Sequence, residues 1–479
     1  MKIYAINNYA NTKLNSTNQN PIGLYSYGLK ADSVNFTCSH CEDKKTQRSM
    51  PVKKDVRDLG NIEGKTVLMR ADFNVSMNKD GSINDSFRIK QAVKTIKYLT
   101  DKGAKVVLMS HFGDPAKELK KAKAKNPDLN ETEEMAKIQQ KLSLRPVAEK
   151  LSEFLGKEVY FYSYRTDHLP YNSLQNGEVC LIENTRFNDG ETKNDPALAR
   201  HWGFNTDIYV NDAFGAAHRA HSSTEGVAQY CKKLANPAVA GLLMANEVDM
   251  ACEILDNPER PFTVVSAGSK LESKIGPINT LIDKMQPEDN QIIAGLMVIP
   301  FIINENPNSP LRKLYKNEEE LNADLERAKS IVNKCAENGV NLIMSQDVVV
   351  QNKDTKEVKT VFVEDIEDGW EIMDVGETTI ETLKDTISNS KTVFVNGPVG
   401  YFEGGFTNGT KEMLQAIQDL KKNNPEAKTI AGGGDTVTAI TNIFGEESFE
   451  NFTHVSTGGG ALLDFLSGKL PGYLALEDK

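Results

Sequence analysis

The sequence has few cysteines, no long apolar run and no excess of basic residues. Its six cysteines among 479 residues follow no secretory spacing, which argues against a disulfide-stabilised fold and favours reduced thiols in a core. The longest apolar run, residues 292–303, contains Gly295 and Pro300 and is too short and too broken to span a bilayer. The net charge of -11 argues against a general affinity for nucleic acid or for an anionic membrane. We therefore expect a soluble globular chain of two or three domains.

Residues 1–50 differ in composition from the rest of the chain. They contain six Lys or Arg against three acids, together with seven Asn, and they show no sustained hydrophobic periodicity. We interpret them as an N-terminal extension, either a disordered tail or a targeting leader. A tail would leave the protein cytoplasmic, whereas a leader would direct it to an organelle of the plastid or mitochondrial type. The C-x-x-C of Cys38 and Cys41 has no second pair at zinc-finger spacing, so chance spacing is favoured over metal or redox chemistry.

From residue 51 onward, short apolar runs alternate with longer segments of helical period. This alternation is typical of parallel sheets covered by helices. The predicted fold is α/β, with two doubly wound parallel-sheet domains joined by a connecting helix and a cleft between them. The predicted strands are residues 66–69, 104–109, 158–161, 178–182 and 207–210 in a first series, and 262–265, 291–293, 341–344, 392–395, 428–431 and 452–455 in a second.

These two series of strands set the predicted domain boundaries. The N-terminal domain covers residues 51–240, and the C-terminal domain covers residues 259–455. Between them lies an apolar segment with helical spacing, residues 239–255, which predicts a connecting helix over residues 241–258. Residues 116–142 are dense in charge and Lys, and we expect them to form a solvated insertion at a loop.

Two standard phosphate-binding motifs are absent from the sequence. Residues 60–66, GNIEGKT, resemble a P-loop, but their glycines are four apart where the motif needs five. The segment also leads into a predicted strand, whereas a P-loop leads out of a strand into a helix. No G-x-G-x-x-G follows a predicted strand. Any phosphate site must therefore be built in another way.

Two runs of three glycines, at residues 432–434 and 458–460, each follow an apolar strand and open a helical pattern. A helix N-terminus reached through glycines presents free backbone N–H groups to an anion, and parallel sheets bind ligands at this edge. The pattern predicts a phosphate site, with a tight packing turn as the alternative for either run. Asp435 follows the first run and is interpreted either as a ligand for Mg²⁺ on a nucleotide phosphate or as a helix N-terminal acid.

Cationic side chains are concentrated at predicted strand ends in the first series. Fixed guanidinium and imidazole donors at one sheet edge would suit a small phosphorylated carboxylate, although each could also be a separate surface or core residue. Asp72 and Asn74 would either order the arginines or contact substrate hydroxyls. Such an anion pocket, paired with a phosphate-binding domain, suggests a kinase that closes across a cleft. The cationic residues are Arg70, Arg88, His111, Arg186, His218, Arg219 and His221.

From about Pro51 to the end, the chain resembles the phosphoglycerate kinase family. The motifs that carry the resemblance are VLMRADFNV (67–75), KVVLMSHFGDP (105–115), LIENTRF (181–187), YVNDAFGAAHRAHSST (209–224), SAGSKLESKIG (266–276), VNGPVGYFE (395–403), TIAGGGDT (429–436) and THVSTGGGALLDFLSGKLPG (453–472). The resemblance implies phosphoryl transfer between ATP and 3-phosphoglycerate, giving ADP and 1,3-bisphosphoglycerate. It also implies a monomer that binds the glycerate on its N-terminal domain and the nucleotide on its C-terminal domain.

The resemblance also implies a role for individual residues. Arg88 would reach the reacting carboxylate, and Lys274 would follow the transferred phosphoryl group. His454 and Thr457 would lie in a hinge region, with residues 456–479 returning to the N-terminal domain. The implied phosphoglycerate ligands are Asp72, Asn74, Arg88, His111, Arg186 and Arg219. The implied nucleotide ligands are Lys270, Lys274, Asn396, Glu403, Gly432, Gly433, Gly434, Asp435 and Thr436, with Asp435 also binding the Mg²⁺ cofactor.

Two motifs depart from the family pattern. Where the family has SH-x-GRP, residues 110–115 read SHFGDP, so Asp114 stands in place of an arginine of the substrate cluster. Where the family has GGGMAF, residues 294–299 read AGLMVI, and we expect Leu296 to narrow or reshape the adenine pocket. Two hypotheses follow: a working kinase with altered affinity or base preference, or a catalytically weak homologue that serves as a nucleotide- or phosphate-binding regulatory or interaction protein.

Overall fold

The computed structural model describes residues 50–78, 80–163 and 169–479. Residues 1–49, which include Cys38 and Cys41, lie outside the described residues, so the structure does not test the prediction of a tail or a leader. The described chain forms two compact units. The first unit contains residues 50–252 together with Gly460–Lys479, and the second contains Glu253–Gly459. No helix within the described ranges has the length and apolar character needed to cross a bilayer.

The first unit is built on six parallel strands in the order β3-β4-β2-β1-β5-β6. Strand residues such as Leu68 and Val107 are fully buried because helices cover both faces of a parallel sheet. The strands are β1 Thr66–Arg70, β2 Lys105–Met109, β3 Val159–Tyr162, β4 Val179–Ile182, β5 Ile208–Asn211 and β6 Ala238–Ala240. The helices are α1 Phe87–Asp101, α2 Pro115–Lys125, α3 Glu131–Lys141, α4 Arg145–Leu155, α5 Pro196–Gly203 and α6 Val227–Lys233.

The second unit contains a six-stranded parallel sheet in the order β15-β14-β13-β7-β8-β9 and a three-stranded antiparallel sheet in the order β11-β10-β12. The strands are β7 Phe262–Ala267, β8 Asn290–Ala294, β9 Asn341–Met344, β10 Asp347–Asn352, β11 Val358–Phe362, β12 Trp370–Val375, β13 Thr392–Asn396, β14 Lys428–Gly432 and β15 His454–Val455. The helices are α8 Ile275–Ile282, α9 Ile299–Glu305, α10 Glu318–Asn338, α11 Glu377–Ser388, α12 Asn408–Asn423 and α13 Gly434–Phe444.

Chain order reverses between neighbouring strands β7 and β13 of the second unit. The parallel sheet therefore has the doubly wound order found in dinucleotide-binding domains, in which ligands bind beside the strand ends at this switch point. The predicted pair of α/β domains is confirmed. Helix α7, Leu242–Asp256, contains the boundary between the units. Helix α14, Gly459–Leu466, contains the second boundary, and the short helix α15 covers Pro471–Leu474.

Each predicted strand overlaps an observed one, but the sequence prediction missed β6 and the antiparallel sheet. Strand β6 overlaps the start of the apolar segment 239–255 and ends immediately before the predicted connecting helix, residues 241–258. Gly241 separates strand from helix, and a Cβ at this position would collide with the carboxylate of Asp212. The close approach of the Asp212 side chain therefore ends the strand, and Met244 N donates to the same carboxylate at 3.0 Å where α7 begins.

The charged insertion is solvated, as expected, and it forms two helices, which the sequence prediction did not include. Helices α2 and α3 form there, and Asn130 caps α3 by accepting a hydrogen bond from Thr132 N at 3.1 Å. Most of the charged side chains are exposed, and Lys121 lies 2.8 Å from Glu118 one turn earlier. Good helix formers and pairs at this spacing stabilise a solvated helix with little core contact.

The C-terminal residues pack within the first unit. Lys53 Nζ donates to the carbonyls of Leu474 and Leu476 at 2.9 and 3.0 Å, and Asn211 Nδ2 donates to the carbonyl of Gly472 at 2.9 Å. Residues far apart in sequence thereby complete one side of the first unit near the end of β5.

Candidate functional site

In the first unit, the proposed substrate residues follow the carboxyl ends of neighbouring strands. Asp72 lies just beyond β1, His111 just beyond β2, and Arg186 in a short 3-10 turn after β4. Arg219 follows β5, and Arg88 lies in the first turn of α1. Parallel strands place all their carboxyl ends on one edge of a sheet, so the topology gathers these side chains.

Asp72, Asn74 and Arg88 form a connected group. Arg88 Nη1 donates to the carbonyl of Asn74 at 2.7 Å and lies 3.5 Å from Asp72 Oδ2. Asn74 N donates to Asp72 Oδ1 at 3.2 Å, and Asn74 Oδ1 accepts from Gly113 N at 2.9 Å. Asp72 and Asn74 therefore order Arg88, which is one of the two roles considered for them.

Arg186 is held at the start of helix α2. Its Nη1 donates to the carbonyl of Gly113 at 2.7 Å and lies 3.6 Å from Asp114 Oδ2. The Arg186 side chain is only 10% exposed, and its Nε is buried without a hydrogen-bond partner in the described residues. Asp114 also caps α2 by accepting from Lys117 N at 3.1 Å. The aspartate that departs from the family pattern thus contacts an arginine of the proposed substrate cluster.

The lowered pKa values of the three histidines in the cluster indicate a positive local electrostatic field. The pKa of His111 lies well below its ordinary value because of burial first and then because of nearby arginines, including Arg186 and Arg219. Burial and the same arginines lower the pKa of His221 to about 4. Burial and Arg219 also lower the pKa of His218. All three rings are therefore neutral at pH 7, and the positive charge of the site comes from its arginines.

Arg70 does not belong to the surface that a substrate could contact, which corrects its grouping with the other cations. The side chain is 1% exposed. Its Nε donates to Ser223 Oγ at 2.9 Å, and its Nη2 lies 3.0 Å from Nδ1 of His111. Sequence position after a strand does not distinguish an arginine that points outward from one enclosed behind the site.

In the second unit, Lys274 spans the switch point of the sheet. Its Nζ donates to the carbonyl of Ala267 at the end of β7 and, at 2.9 Å, to the carbonyl of Asn396 at the end of β13. Burial lowers the pKa of Lys274 to about 8, and the neighbouring Asp435 carboxylate partly opposes this effect. Lys274 thus places an ammonium group where an open α/β sheet binds its ligand.

The first glycine run leads from β14 into helix α13. Gly433 has a φ of +105°, and a Cβ there would lie 3.1 Å from Asn396 Nδ2, so this position favours glycine. A Cβ at Gly434 would meet no atom within 4 Å, which leaves the helix N-terminus open to a ligand. The hydroxyl of Thr436 is buried, donates to the carbonyl of Gly432 and accepts from Gly397 N, each at 2.8 Å. Its side chain therefore stabilises the turn at the start of α13.

The second glycine run packs against the first. A Cβ at Gly459 would collide with the Cα of Gly433 and would lie 2.9 Å from Gly434 N. The absence of a side chain at Gly459 therefore permits close backbone contact beneath the N-terminus of α13. The contact made by Gly459 therefore corresponds to the tight packing turn that was the alternative to a phosphate site for this glycine run.

A cavity of about 450 Å³ in the second unit is lined in part by residues that follow strands β7 and β8. Lys270, Leu296 and Tyr401 line it, and the side chains of Leu296 and Tyr401 are 37% and 53% exposed. Glu403 is exposed on the turn after Tyr401 and does not line this cavity. Other lining residues come from α9, α10 and β12, and the sequence does not predict the contribution of β12 because it does not predict the antiparallel sheet. The short β-branched runs at 347–352 and 358–362 carried the signal for it.

The residues present fit a magnesium ion held jointly with a nucleotide. Asp435 is exposed beside the open N-terminus of α13. Within the described part of the chain, no group of three or more His, Cys, Asp or Glu could enclose a metal by itself. Mg²⁺ on a nucleotide typically takes one or two carboxylates and completes its shell with phosphate oxygens and water. A single accessible carboxylate near Lys274 matches that requirement.

Comparisons with known proteins agree with this geometry. A family model described as phosphoglycerate kinase matches residues 56–469. The phosphoglycerate kinase of Thermosipho africanus is 42% identical over 437 residues, which cover 89% of this chain and 98% of that protein. The phosphoglycerate kinase of Nostoc sp. is 40% identical over 439 residues, which cover 89% of this chain and 99% of that protein.

Solved structures extend the similarity to the fold. The structure of phosphoglycerate kinase from Coxiella burnetii has a TM-score of 0.68 at 31% identity and covers 88% of this chain and 98% of its own. Phosphoglycerate kinase from Pyrococcus horikoshii OT3 gives the same TM-score and the same coverage of both chains at 27% identity. With a family match across both α/β units, this chain belongs to the phosphoglycerate kinase family.

Proposed function

We propose that this kinase reversibly transfers a phosphoryl group between ATP and 3-phosphoglycerate, giving ADP and 1,3-bisphosphoglycerate, a step of glycolysis and gluconeogenesis. The observation that carries the proposal is the group of arginines around His111 in a member of this family. Arg88, Arg186 and Arg219 are the cations of that group that we assign to the substrate. Several fixed guanidinium groups suit a ligand that carries both a carboxylate and a phosphate.

The acceptor chemistry requires little of the protein beyond binding and orientation. The substrate carboxylate is already ionised at neutral pH, so no general base is needed. Arg88 would orient this carboxylate, while Arg186 and Arg219 would bind the phosphate end. His111 would add a hydrogen bond, and Asp72 with Asn74 would hold Arg88 in place.

The nucleotide chemistry rests on positive charge and on backbone donors. Lys274 would contact the transferred phosphoryl group, and Lys270 would meet the other phosphates. The turn through Gly432, Gly433 and Gly434 with the N-terminus of α13 would bind phosphate oxygens, supported by Asn396 and Thr436, while Glu403 would contact the ribose. When bound, Mg²⁺ would neutralise charge on the phosphates, and Asp435 would hold it. Concentrated positive charge stabilises the spread negative charge of the transition state.

In-line transfer requires the two substrates to meet with water excluded. The two sets of residues belong to different units, so the proposed reaction includes a hinge motion near His454 and Thr457 that brings the substrates together. We also propose that the chain acts as a monomer, which light scattering or sedimentation would test.

A coupled assay with 3-phosphoglycerate and Mg-ATP tests the proposed function. We expect turnover in the unmodified protein and a loss of about 100-fold or more in kcat for Lys274→Ala, because a donor to the transferred group is removed. Lys334→Ala is the matched control, since Lys334 pairs with Asp283 on the surface of the same unit. Absence of turnover at millimolar substrates would contradict the proposal.

The alternative, a catalytically weak homologue with a regulatory or interaction role, is favoured by one observation. Asp114 places a negative charge 3.6 Å from Arg186 within the proposed substrate cluster. The same assay separates the alternatives, because a weak homologue would bind nucleotide without turnover and would show no difference between Lys274→Ala and Lys334→Ala.

We also propose a cytoplasmic location, with an organellar one as the alternative if residues 1–50 are a targeting leader. A reporter fused to residues 1–50, compared with the reporter alone, separates the two interpretations of this segment. A diffuse signal with and without residues 1–50 supports a tail, and redirection to an organelle by residues 1–50 supports a leader.

A further inference from the structure

Arg70 is a buried arginine that contacts His111, a residue proposed to bind the substrate, but Arg70 itself does not reach the surface that the substrate would contact. It ends strand β1, and its side chain is 1% exposed. Nη2 lies 3.0 Å from Nδ1 of His111, Nε donates to Ser223 Oγ at 2.9 Å, and Nη1 donates to the carbonyl of Ala71. All three guanidinium nitrogens therefore have partners that fix the plane of the group.

The contact between Arg70 and His111 determines which ring nitrogen of the histidine carries the proton. A guanidinium group has only donors, so Nδ1 of His111 must be the acceptor. A neutral imidazole has one N–H, and that proton must then lie on Nε2. No hydrogen bond within the described residues engages Nε2 of His111, so this donor is available to a ligand.

Ser223 binds Arg70 directly, and Glu191 binds Ser223 in turn. Ser223 Oγ donates to Glu191 Oε1 at 2.5 Å while it accepts from Arg70 Nε. Ser223 N donates to Glu191 Oε2 at 2.9 Å, and Glu191 is 1% exposed. The buried carboxylate thus compensates the buried guanidinium through one hydroxyl, as a buried charge requires.

We infer that Arg70 is a positioning residue that fixes His111 as the Nε2–H tautomer, so that His111 presents a single neutral N–H donor to the anionic substrate. Protonation of His111 would remove the acceptor at Nδ1 and would place two cations 3.0 Å apart. The tautomer is a property of the free protein, whereas its use in substrate binding rests on the function proposed above.

The charged groups that, besides Arg70, lower the pKa of His111 most strongly act in the same direction. They are Arg88 on α1, Arg186 after β4 and Arg219 after β5, and all are cations that disfavour an imidazolium. Burial contributes most to the lowered pKa of His111, and Arg70 is the next cause. His111 therefore stays neutral across the physiological range.

Nitrogen-15 NMR of histidine-labelled full-length protein tests the tautomer directly. The His111 resonances are assigned by their absence in His111→Gln. We expect an unprotonated Nδ1 and a protonated Nε2 whose shifts stay constant between pH 5.5 and 8. A protonated Nδ1, or a titration of the ring near the ordinary value of about 6.5, would overturn the inference. This measurement needs no turnover, so it stays decisive if the proposed function fails.

A charge-balanced variant tests the consequence for binding. Arg70→Gln combined with Glu191→Gln removes both buried charges together, so neither is left uncompensated. An amide both donates and accepts, which makes the imidazolium accessible to His111. The quantity to measure is the KM of the double variant for 3-phosphoglycerate divided by the KM of the unmodified protein at the same pH. We expect this ratio to fall about threefold or more between pH 7.5 and 5.5, because a charged donor binds an anion more strongly. Division cancels the ionisation of the substrate itself.

A ratio of KM values that stays constant with pH in a folded double variant would contradict the positioning role. A purely structural role predicts this flat ratio, because a general loss of packing would not follow the titration of one ring. If the double variant fails to fold by circular dichroism, the NMR measurement on the unmodified protein decides the tautomer alone.

Discussion

Replacing Asp114 by asparagine should strengthen binding of 3-phosphoglycerate. The carboxylate lies 3.6 Å from Arg186 Nη1, where it competes with a substrate anion for the same guanidinium. Asparagine removes the charge but serves equally well as the N-cap of helix α2, so the helix is preserved. The substitution therefore isolates the electrostatic effect of residue 114 from the stability of the element that carries it.

The expected magnitude follows from the exposure of the pair. Two unit charges at about 4 Å interact by roughly 4 kcal/mol at an effective dielectric of 20. The Asp114 side chain is 46% exposed, so water and salt screen most of this, and exposed pairs are typically worth about 0.2–1 kcal/mol. At about 1.4 kcal/mol per factor of ten, the KM should fall by about 1.4-fold to fivefold for Asp114→Asn. Asp114→Arg reverses the charge and should lower the KM further.

Initial rates at saturating Mg-ATP over a range of 3-phosphoglycerate concentrations measure this effect. Glu118→Gln is the control, because this substitution also removes one negative charge from helix α2. The carboxylate of Glu118 pairs with Lys121 and not with Arg186. The KM difference between Asp114→Asn and Glu118→Gln should shrink at high salt, since the Debye length falls. An unchanged or higher KM in Asp114→Asn would refute the argument that Asp114 competes for Arg186.

Three further predictions concern the second unit. Burial lowers the pKa of Lys274 to about 8, and a bound triphosphate should raise it, so calorimetry at pH 8 in buffers of different ionisation enthalpy should detect uptake of about half a proton per ATP by the unmodified protein. Lys274→Met should show no such uptake, and equal uptake by the two proteins would contradict the prediction. Gly459→Ala should lower the Tm and destabilise the protein by about 1–3 kcal/mol, because the added Cβ collides with Gly433. Gly460→Ala should leave the Tm unchanged, since no atom lies within 4 Å of the added Cβ; equal Tm values for the two variants would refute the packing role of Gly459. Leu296→Ala should change the ratio of ATP to GTP affinity in calorimetry, because Leu296 lines the cavity, and an unchanged ratio would show that it does not shape the base site.

The sequence predicts the parallel sheets well because their strands are apolar on both faces and their helices are amphipathic. It fails where tertiary contacts decide the structure. The break between β6 and α7 depends on Gly241 meeting Asp212, which lies 29 residues earlier in the chain. The antiparallel sheet has half-exposed strands such as β11, whose residues alternate between exposed and partly buried, so its signal in the sequence is weaker than that of a strand buried on both faces.

The candidate site shows the same division between what is local and what is not. Strand ends and glycine runs are visible in the sequence, and so are the charged residues that follow them. The orientation of Arg70 is not visible, because it depends on Ser223 and Glu191 from other parts of the chain. The contact of Asp114 with Arg186 also joins residues separated by 72 positions. Residue type at a strand end therefore predicts the chemistry of a site better than it predicts which side chains reach the ligand.

Trapping the product with hydroxylamine tests the central claim most directly, because an acyl phosphate reacts with hydroxylamine to give a hydroxamate and a phosphate ester does not. With 3-phosphoglycerate, Mg-ATP and hydroxylamine, we predict one hydroxamate formed for each ADP released, with both products reduced about 100-fold or more in Lys274→Ala. Release of ADP without hydroxamate, or hydroxamate formation that persists in Lys274→Ala, would contradict transfer to the substrate carboxylate at this site.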